Sequence, residues 1–306
     1  MRDVLKTSGT MTALVLIAAA AQAQTITTTT SAASSVVVRK TVTISNSGNG
    51  TPAGTGVACI SPPLADVVAP VTPSVDAGRQ ATASRNYALA RANFRPLAEK
   101  GDAAGAAALG HLLMQNCTGL QDKQEGLEWL AKGADGGDAN AALELGSIYL
   151  NGQDGVAIDD NRAFALMTKA AAAGLMVAET DLGYMYIHGR GVAVDKYQGM
   201  TWSIKGGEQG SPAALSYFAN AYFKGDGLPQ NLDKAAYYGS IAYQRGSTAQ
   251  RTAFKSMLDD IGRQMSRSDA KDAVERAAKW TPGPGTLSEV ARDAAKWHSQ
   301  NQANKG

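Results

Sequence analysis

The chain has 306 residues, of which 44% are hydrophobic, 18% charged and only 6% aromatic, and its 29 Lys+Arg against 27 Asp+Glu leave a formal net charge of +2. No global field steers such a chain onto nucleic acid or anionic lipid, and two cysteines with three histidines (His111, His188 and His298) are too few for a zinc ribbon, a disulfide-dense miniprotein or an evident metal enzyme. Abundant alanine and 33 glycines with few aromatics describe closely approaching helices joined by glycine turns.

Residues 1–23 read as a signal peptide rather than as part of the fold. Arg2 and Lys6 precede the apolar run 11–20, and Ala21-Gln22-Ala23 puts small residues where a signal peptidase reads them, so cleavage is expected before Gln24. The alternative, an uncleaved anchor, meets an apolar run shorter than the ~20 residues that span a bilayer. No cysteine follows the cleavage site to accept a lipid. The mature chain is therefore expected to be periplasmic or secreted, in an oxidising compartment and without stable membrane insertion.

Residues 24–81 contain a threonine run, a Ser/Asn/Gly stretch and then Pro62, Pro63, Pro70 and Pro73. Such a composition cannot bury enough apolar surface to offset the entropy of ordering it, so a flexible Ser/Thr/Pro-rich arm is expected. The alternation Thr41-Val42-Thr43-Ile44 has the period of a short strand but no evident partner. The arm is either a solvated linker or a segment that folds on a partner.

From residue 82 the sequence repeats. Leu109-Gly110, Leu145-Gly146, Leu182-Gly183 and Phe218-Ala219 recur at intervals of 36, 37 and 36 residues. Gly137, Gly174, Gly210 and Gly246 keep the same period, with Gly101 one step earlier, and Gly152, Gly189 and Gly225 mark a third register. Each unit predicts a helix A, a glycine loop and a helix B. In the third unit helix A covers about 177–187, with Ala178, Leu182, Met185 and Tyr186 at helical spacing, and ends at Gly189. Helix B begins at Asp195, whose equivalents Asp122, Asp159 and Asn231 all carry a side chain able to accept from the first free helical N–H groups. Asp122 with Glu125, and Asp195 with Gln198, have the spacing of a capping box. Helix B then places Trp129, Leu166, Trp202 or Tyr238 at one position and Ala134, Ala171, Gly207 or Tyr243 five residues on, large and mostly small residues that let successive helices interdigitate.

This pattern resembles the Sel1-like repeat, a relative of the tetratricopeptide repeat with a longer glycine-containing loop. The residues that carry the resemblance are 141–152, 155–159 and 163–174, matched by 182–192 in the next unit. It implies an all-α fold, a right-handed α-α solenoid of Sel1-like helix-turn-helix repeats over residues 82–280. Units are expected near 103–138, 139–175, 176–211 and 212–247, between degenerate caps at 82–102 and 248–280. The first unit departs from the pattern at Asn116-Cys117-Thr118, where the first loop glycine belongs, and the fourth at Phe218-Ala219.

At the front, 87–100 reads as a lone helix B whose final turn Pro96 should distort. At the back, 249–261 and 269–280 read as a fifth pair without the glycine loop. Within 281–306 a short helix over 287–298 is expected after Pro282-Gly283-Pro284-Gly285, with a frayed tail from Ser299. Cys59 in the arm and Cys117 in the first repeat's loop are expected to oxidise if they meet, stapling the arm to the front cap; free thiols or an intermolecular bridge are the alternatives.

Repeat proteins work through helix A side chains on their concave surface. Two residues before the Leu-Gly glycine, one after it and five after it lie positions that share a helical face and mostly refuse to be apolar. They are Ala108, His111 and Gln115; Glu144, Ser147 and Asn151; Asp181, Tyr184 and His188; Tyr217, Asn220 and Lys224. Structural positions repeat from unit to unit, whereas these vary, as on a surface shaped for a ligand, and Tyr184 and Tyr217 are amphipathic anchors of the kind interfaces favour. An ordinary solvated face is the alternative. The candidate binding residues are accordingly His111, Glu144, Ser147, Asp181, Tyr184, His188, Tyr217 and Asn220.

No metal, cofactor or catalytic residue is expected. His111 with Glu144 and Asp181 with His188 are the imaginable ligand pairs, but 181 and 188 lie roughly 10 Å apart along one helix, too far to share an ion. The resemblance also brings in secreted members described as penicillin-binding or β-lactamase-like. Ser268-Asp269-Ala270-Lys271 fits S-x-x-K, yet no S-D-N or K-T-G accompanies it, and Ser266 followed by Asp269 reads instead as a helix start. The function expected is a non-enzymatic scaffold, adaptor or regulator that binds a protein or peptide in the cell envelope, and not nucleic acid. A peptidoglycan-fragment binder or β-lactamase-like hydrolase is the rival.

Overall fold

The computed structural model describes residues 25–29, 39–43, 72–115 and 122–303. The chain divides into two units, Met1–Ala58 and Cys59–Gly306. In the first, strands β1 (Thr25–Thr29) and β2 (Arg39–Thr43) pair antiparallel, with Ile26 opposite Val42. The partner missing for the alternation around Val42 is thus the threonine run itself. The signal segment, the rest of the expected arm before residue 72, Cys59 and Cys117 lie outside the described residues.

The described part of the second unit is helical throughout. It opens with α1 (Val75–Ala83) and α2 (Tyr87–Glu99). An arm was expected through residue 81 and a lone helix after it, but the front cap is a helix pair. Ser74 starts α1 by accepting from the Ala77 N–H at 3.1 Å, and Gly78 and Ala81 bury their side of the helix, Gly78 directly against the Phe94 ring of α2. Helix α2 runs through Pro96 and ends only at Glu99, giving up the one backbone bond that proline cannot donate.

Four pairs follow: α3 (Ala103–Met114) with α4 (Lys123–Asp135), α5 (Ala139–Asn151) with α6 (Asp160–Ala172), α7 (Met176–His188) with α8 (Lys196–Glu208), and α9 (Pro212–Lys224) with α10 (Leu232–Arg245). Each helix B starts where the sequence places it. Asp122, Asp159, Asp195 and Asn231 accept from the backbone N–H three residues on, at 2.9–3.0 Å. Glu125 does not close a reciprocal box, because its carboxylate is taken by the Trp129 indole N–H (3.0 Å) and by Arg95 of the front cap. Three A helices end on a left-handed glycine, as at Gly189 (φ 69°), a conformation that costs a side-chain-bearing residue more. Between A and B helices the core runs through Leu109, Leu113 and Leu130, then Leu145 and Met167, Leu182 and Met185, and Phe218 and Tyr222.

A charge pattern joins the first three B helices, α4, α6 and α8, to the loop of the next unit. Lys123 meets Asp154 at 2.6 Å, Asp160 meets Arg190 at 2.5 Å and Lys196 meets Asp226 at 2.5 Å. In these three the first residue of helix B pairs with the residue before the second loop glycine of the next unit, and the signs are exchanged in the middle pair.

The back of the array comprises α11 (Thr248–Gly262), α12 (Arg267–Ala277) and α13 (Ser288–Ala303). Helix α12 packs on α10, where Arg276 bridges to Asp233. Helix α13 returns to α8 instead. Leu287, Val290 and Ala294 are buried there, and Asp293 accepts from the Tyr222 hydroxyl and the Lys234 ammonium at 2.7 Å each. The Trp297 indole donates to the Gly225 carbonyl (3.3 Å), His298 stacks on Tyr197 with centroids 4.6 Å apart, and Glu208 accepts from the Gly285 N–H (2.7 Å). These anchors explain why the helix continues to Ala303 where a frayed tail was expected from Ser299. Among the described residues no helix is long and apolar enough to cross a membrane.

Candidate functional site

The A helices bury one face against the B helices and leave the other open. On α3 the buried residues Leu109, Leu112 and Leu113 leave His111 exposed and Ala108 and Gln115 half-buried; on α5 Leu145 and Ile148 do the same for Glu144 and Ser147. Between these helices, and closed at one end by Arg79 and Thr82 of α1, lies an open groove of about 880 Å³. It brings together His111, Gln115, Glu144 and Ser147.

The groove's polar centre is a contact between units. His111 Nδ1 lies 2.9 Å from Glu144 Oε2, and its Nε2 lies 2.7 Å from the Gln115 amide nitrogen. With the proton on Nδ1, the imidazole donates to the carboxylate and accepts from the amide. The hydrogen bond to Glu144, reinforced by its charge, lifts the His111 pKa above the ordinary histidine value, while partial burial opposes the rise. The pair, with Gln115, forms a polar hydrogen-bonding edge inside the groove that Ser147 also lines.

The other candidates stand apart from this pocket. Asp181, Tyr184 and His188 sit on α7, where Tyr184 is 43% exposed and its ring contacts His188 at 4.3 Å between centroids. Asp181 is half-buried, and burial pushes its carboxyl up to about 6. Tyr217 is half-buried on α9, with its hydroxyl over Gly227, and burial raises its pKa well above the usual tyrosine range. Asn220 is half-buried on α9, Lys224 is exposed, and exposed Asn151 donates to the Ser147 carbonyl at 3.0 Å.

Three contributors escaped sequence reading. Arg79 and Thr82 belong to α1, which straddles the boundary between the segment that reads as arm and the front cap. Val177 lines the groove and is 47% exposed; it lies one turn before Asp181 in the same register, so the period itself could have revealed it. Among the described residues no three His, Cys, Asp or Glu side chains gather as a metal site.

The S-x-x-K match lies at the start of α12. Ser266 caps that helix by accepting from the Asp269 N–H (3.1 Å), Ser268 Oγ is 2.8 Å from Ser266 Oγ, and Lys271 pairs with Glu275 at 3.6 Å. Ser268 and Lys271 are both exposed, and each has another partner than its motif companion.

The Sel1 repeat family matches the chain at residues 103–138, 139–175, 177–211 and 212–247. Chitin synthase regulatory factor 3 of Schizosaccharomyces pombe is 31% identical over 140 residues, which cover 45% of this chain and 14% of that protein. A Sel1 repeat protein from Oxalobacter formigenes has a crystal structure superposing with a TM-score of 0.52 at 22% identity, over 66% of this chain and 84% of that one. A protective antigen of uropathogenic Escherichia coli with an SLR fold superposes at a TM-score of 0.44 and 20% identity, over 70% and 51% of the two chains. Four matched units in the expected register, together with a shared helical-pair architecture, identify residues 103–247 as an array of Sel1 repeats.

Proposed function

We propose that this chain is a non-enzymatic scaffold or adaptor of the cell envelope that holds a protein or peptide segment along the exposed face of its A helices. One observation carries the reading. Core, helix-B cap and loop positions keep their residue types in at least three of the four units, whereas the open face changes from His111 to Ser147 to Tyr184 to Asn220 at one register position. A regular frame presenting an irregular surface is how solenoids recognise partners. The name of the Schizosaccharomyces pombe relative, a chitin synthase regulatory factor, agrees with an adaptor's role. The signal-like leader supports a periplasmic or secreted location.

Photocrosslinking in cells tests this. A photoreactive residue at Ser147 should give a discrete protein adduct that the same residue at exposed Thr168 on α6 does not give. Retention of peptidoglycan fragments on the purified chain, with no protein adduct at Ser147, would favour the rival binder.

A further inference from the structure

The geometry points to the strip Val177, Asp181 and Tyr184 on α7 as the recognition point for a lysine or arginine side chain of an extended peptide segment. This inference rests on the open face of the A helices being the partner surface, and it adds the partner's chemistry. The three residues follow one another at i, i+4 and i+7, so they line one side of the helix over two turns. Val177 also lines the groove between the first two repeats, which makes the strip a continuation of that groove.

Each residue supplies a different part of a site for a long basic side chain. Asp181 supplies the charge. Among the described residues no hydrogen bond or ion pair reaches it, and burial alone acts on its carboxyl. Other partly buried carboxylates of the array are matched: Glu125 by Arg95, Glu144 by His111, Asp160 by Arg190, Glu179 by Gln209 and Asp293 by Lys234. A carboxylate half-withdrawn from water without a counter-charge is unfavourable, and an incoming cation removes that cost.

Tyr184 supplies a ring face. Its ring makes a tilted contact with His188 and its hydroxyl accepts from the Arg190 guanidinium, while 43% of the residue stays open. A cation set over such a face is attracted by the ring's quadrupole. Val177, 47% exposed, offers aliphatic surface for the methylene stem. An acidic side chain is repelled here, and a neutral one leaves Asp181 unmatched.

The test uses the full chain and fluorescein-labelled peptides Gly-Leu-X-Leu-Gly with X as Lys, Arg, Gln or Glu, read by anisotropy. Lys and Arg peptides should bind about tenfold more tightly than the Gln peptide, with a preference that shrinks as salt rises from about 50 to about 300 mM. Asp181→Asn should bring Lys, Arg and Gln to within about twofold of one another. Tyr184→Ala should weaken all of them with an unchanged circular dichroism spectrum. Equal binding of the Gln or Glu peptide, a preference that survives Asp181→Asn, or no binding of any peptide overturns the inference. Peptides that bind whatever X is, and are lost with Tyr184→Ala, remove the charge recognition but leave the partner surface standing. Peptides indifferent to Tyr184→Ala and to Glu144→Gln remove both.

Discussion

Replacing Leu287 by Ala should release α13 from the array without unfolding the array. Leu287 is fully buried, and its Cδ1 lies 2.7 Å from where a Cβ on Gly207 would stand, with Phe218 of α9 the next neighbour at 3.0 Å. It therefore fills the space between α8 and α9 that the missing side chain leaves. Leu→Ala at a closed core site costs about 2–5 kcal/mol. Because a solenoid's units are stabilised by their neighbours, that loss should stay local. Hydrogen exchange read by mass spectrometry should show peptides from 288–303 exchanging roughly a hundredfold faster, equivalent to about 3 kcal/mol, with peptides from α3 to α5 unchanged. Gly207→Ala supplies the complementary perturbation. It restores the residue that the first two units carry, Ala134 and Ala171, and the helix itself gains up to about 1 kcal/mol, but the new methyl competes with Leu287. The double variant should cost less than the two single variants added together, since the methyl occupies the vacated space. Strict additivity, or uniform acceleration along the whole array, would refute this account of the tail.

Other outcomes are expected. The raised His111 pKa means that the imidazolium's added stabilisation by Glu144 is complete below the ordinary histidine value near 6.5 and is lost as pH rises through the folded value; Glu144→Gln should bring the NMR titration midpoint of His111 down, with a stability change below about 1 kcal/mol because the histidine side chain is 56% exposed. Asp181, with a folded pKa of about 6 against an ordinary 3.8, favours the fold only while protonated, a contribution complete below about 3.8 and lost above about 6. Asp181→Asn should therefore stabilise the chain at pH 8 by about 1–3 kcal/mol and by little at pH 3.5, as thermal melts would show. Cys59 and Cys117 are proposed to form the disulfide that staples the arm; two free thiols per chain in the denatured oxidised protein would end that proposal. Nitrocefin turnover abolished by Ser268→Ala would overturn the reading of that serine as part of a helix start.

The array was legible because its demands recur. A left-handed stop at Gly189, a cap at Asp195 and a core leucine at Leu182 each impose a residue type, and three or all four units repeat each demand, so chance resemblance is averaged away. Helix α1 states its demand once. Val75, Gly78 and Ala81 carry little apolar surface, and what stabilises them is the Phe94 ring, which no local pattern announces. The destination of α13 was hidden for the same reason: its contacts with Tyr222, Lys234 and Gly225 span 59 to 72 residues. On the open face, periodicity identified which positions share a side but not how deep each lies. Tyr184 and Tyr217 occupy neighbouring register positions, three residues apart in the helical frame, and one is open while the other leans on the Gly227 loop.

The alternating ion pairs between units act as a spelling rule for the array. Each contributes little by itself, about 0–1 kcal/mol at partly exposed sites, but together they specify which unit may follow which. Excising the second repeat would bring Lys123 opposite Arg190, and excising the third would bring Asp160 opposite Asp226. Excising both would restore attraction, Lys123 to Asp226. Lengthening or shortening that keeps opposite charges adjacent therefore proceeds in steps of two repeats, and a single-unit slip during assembly meets repulsion at the joint.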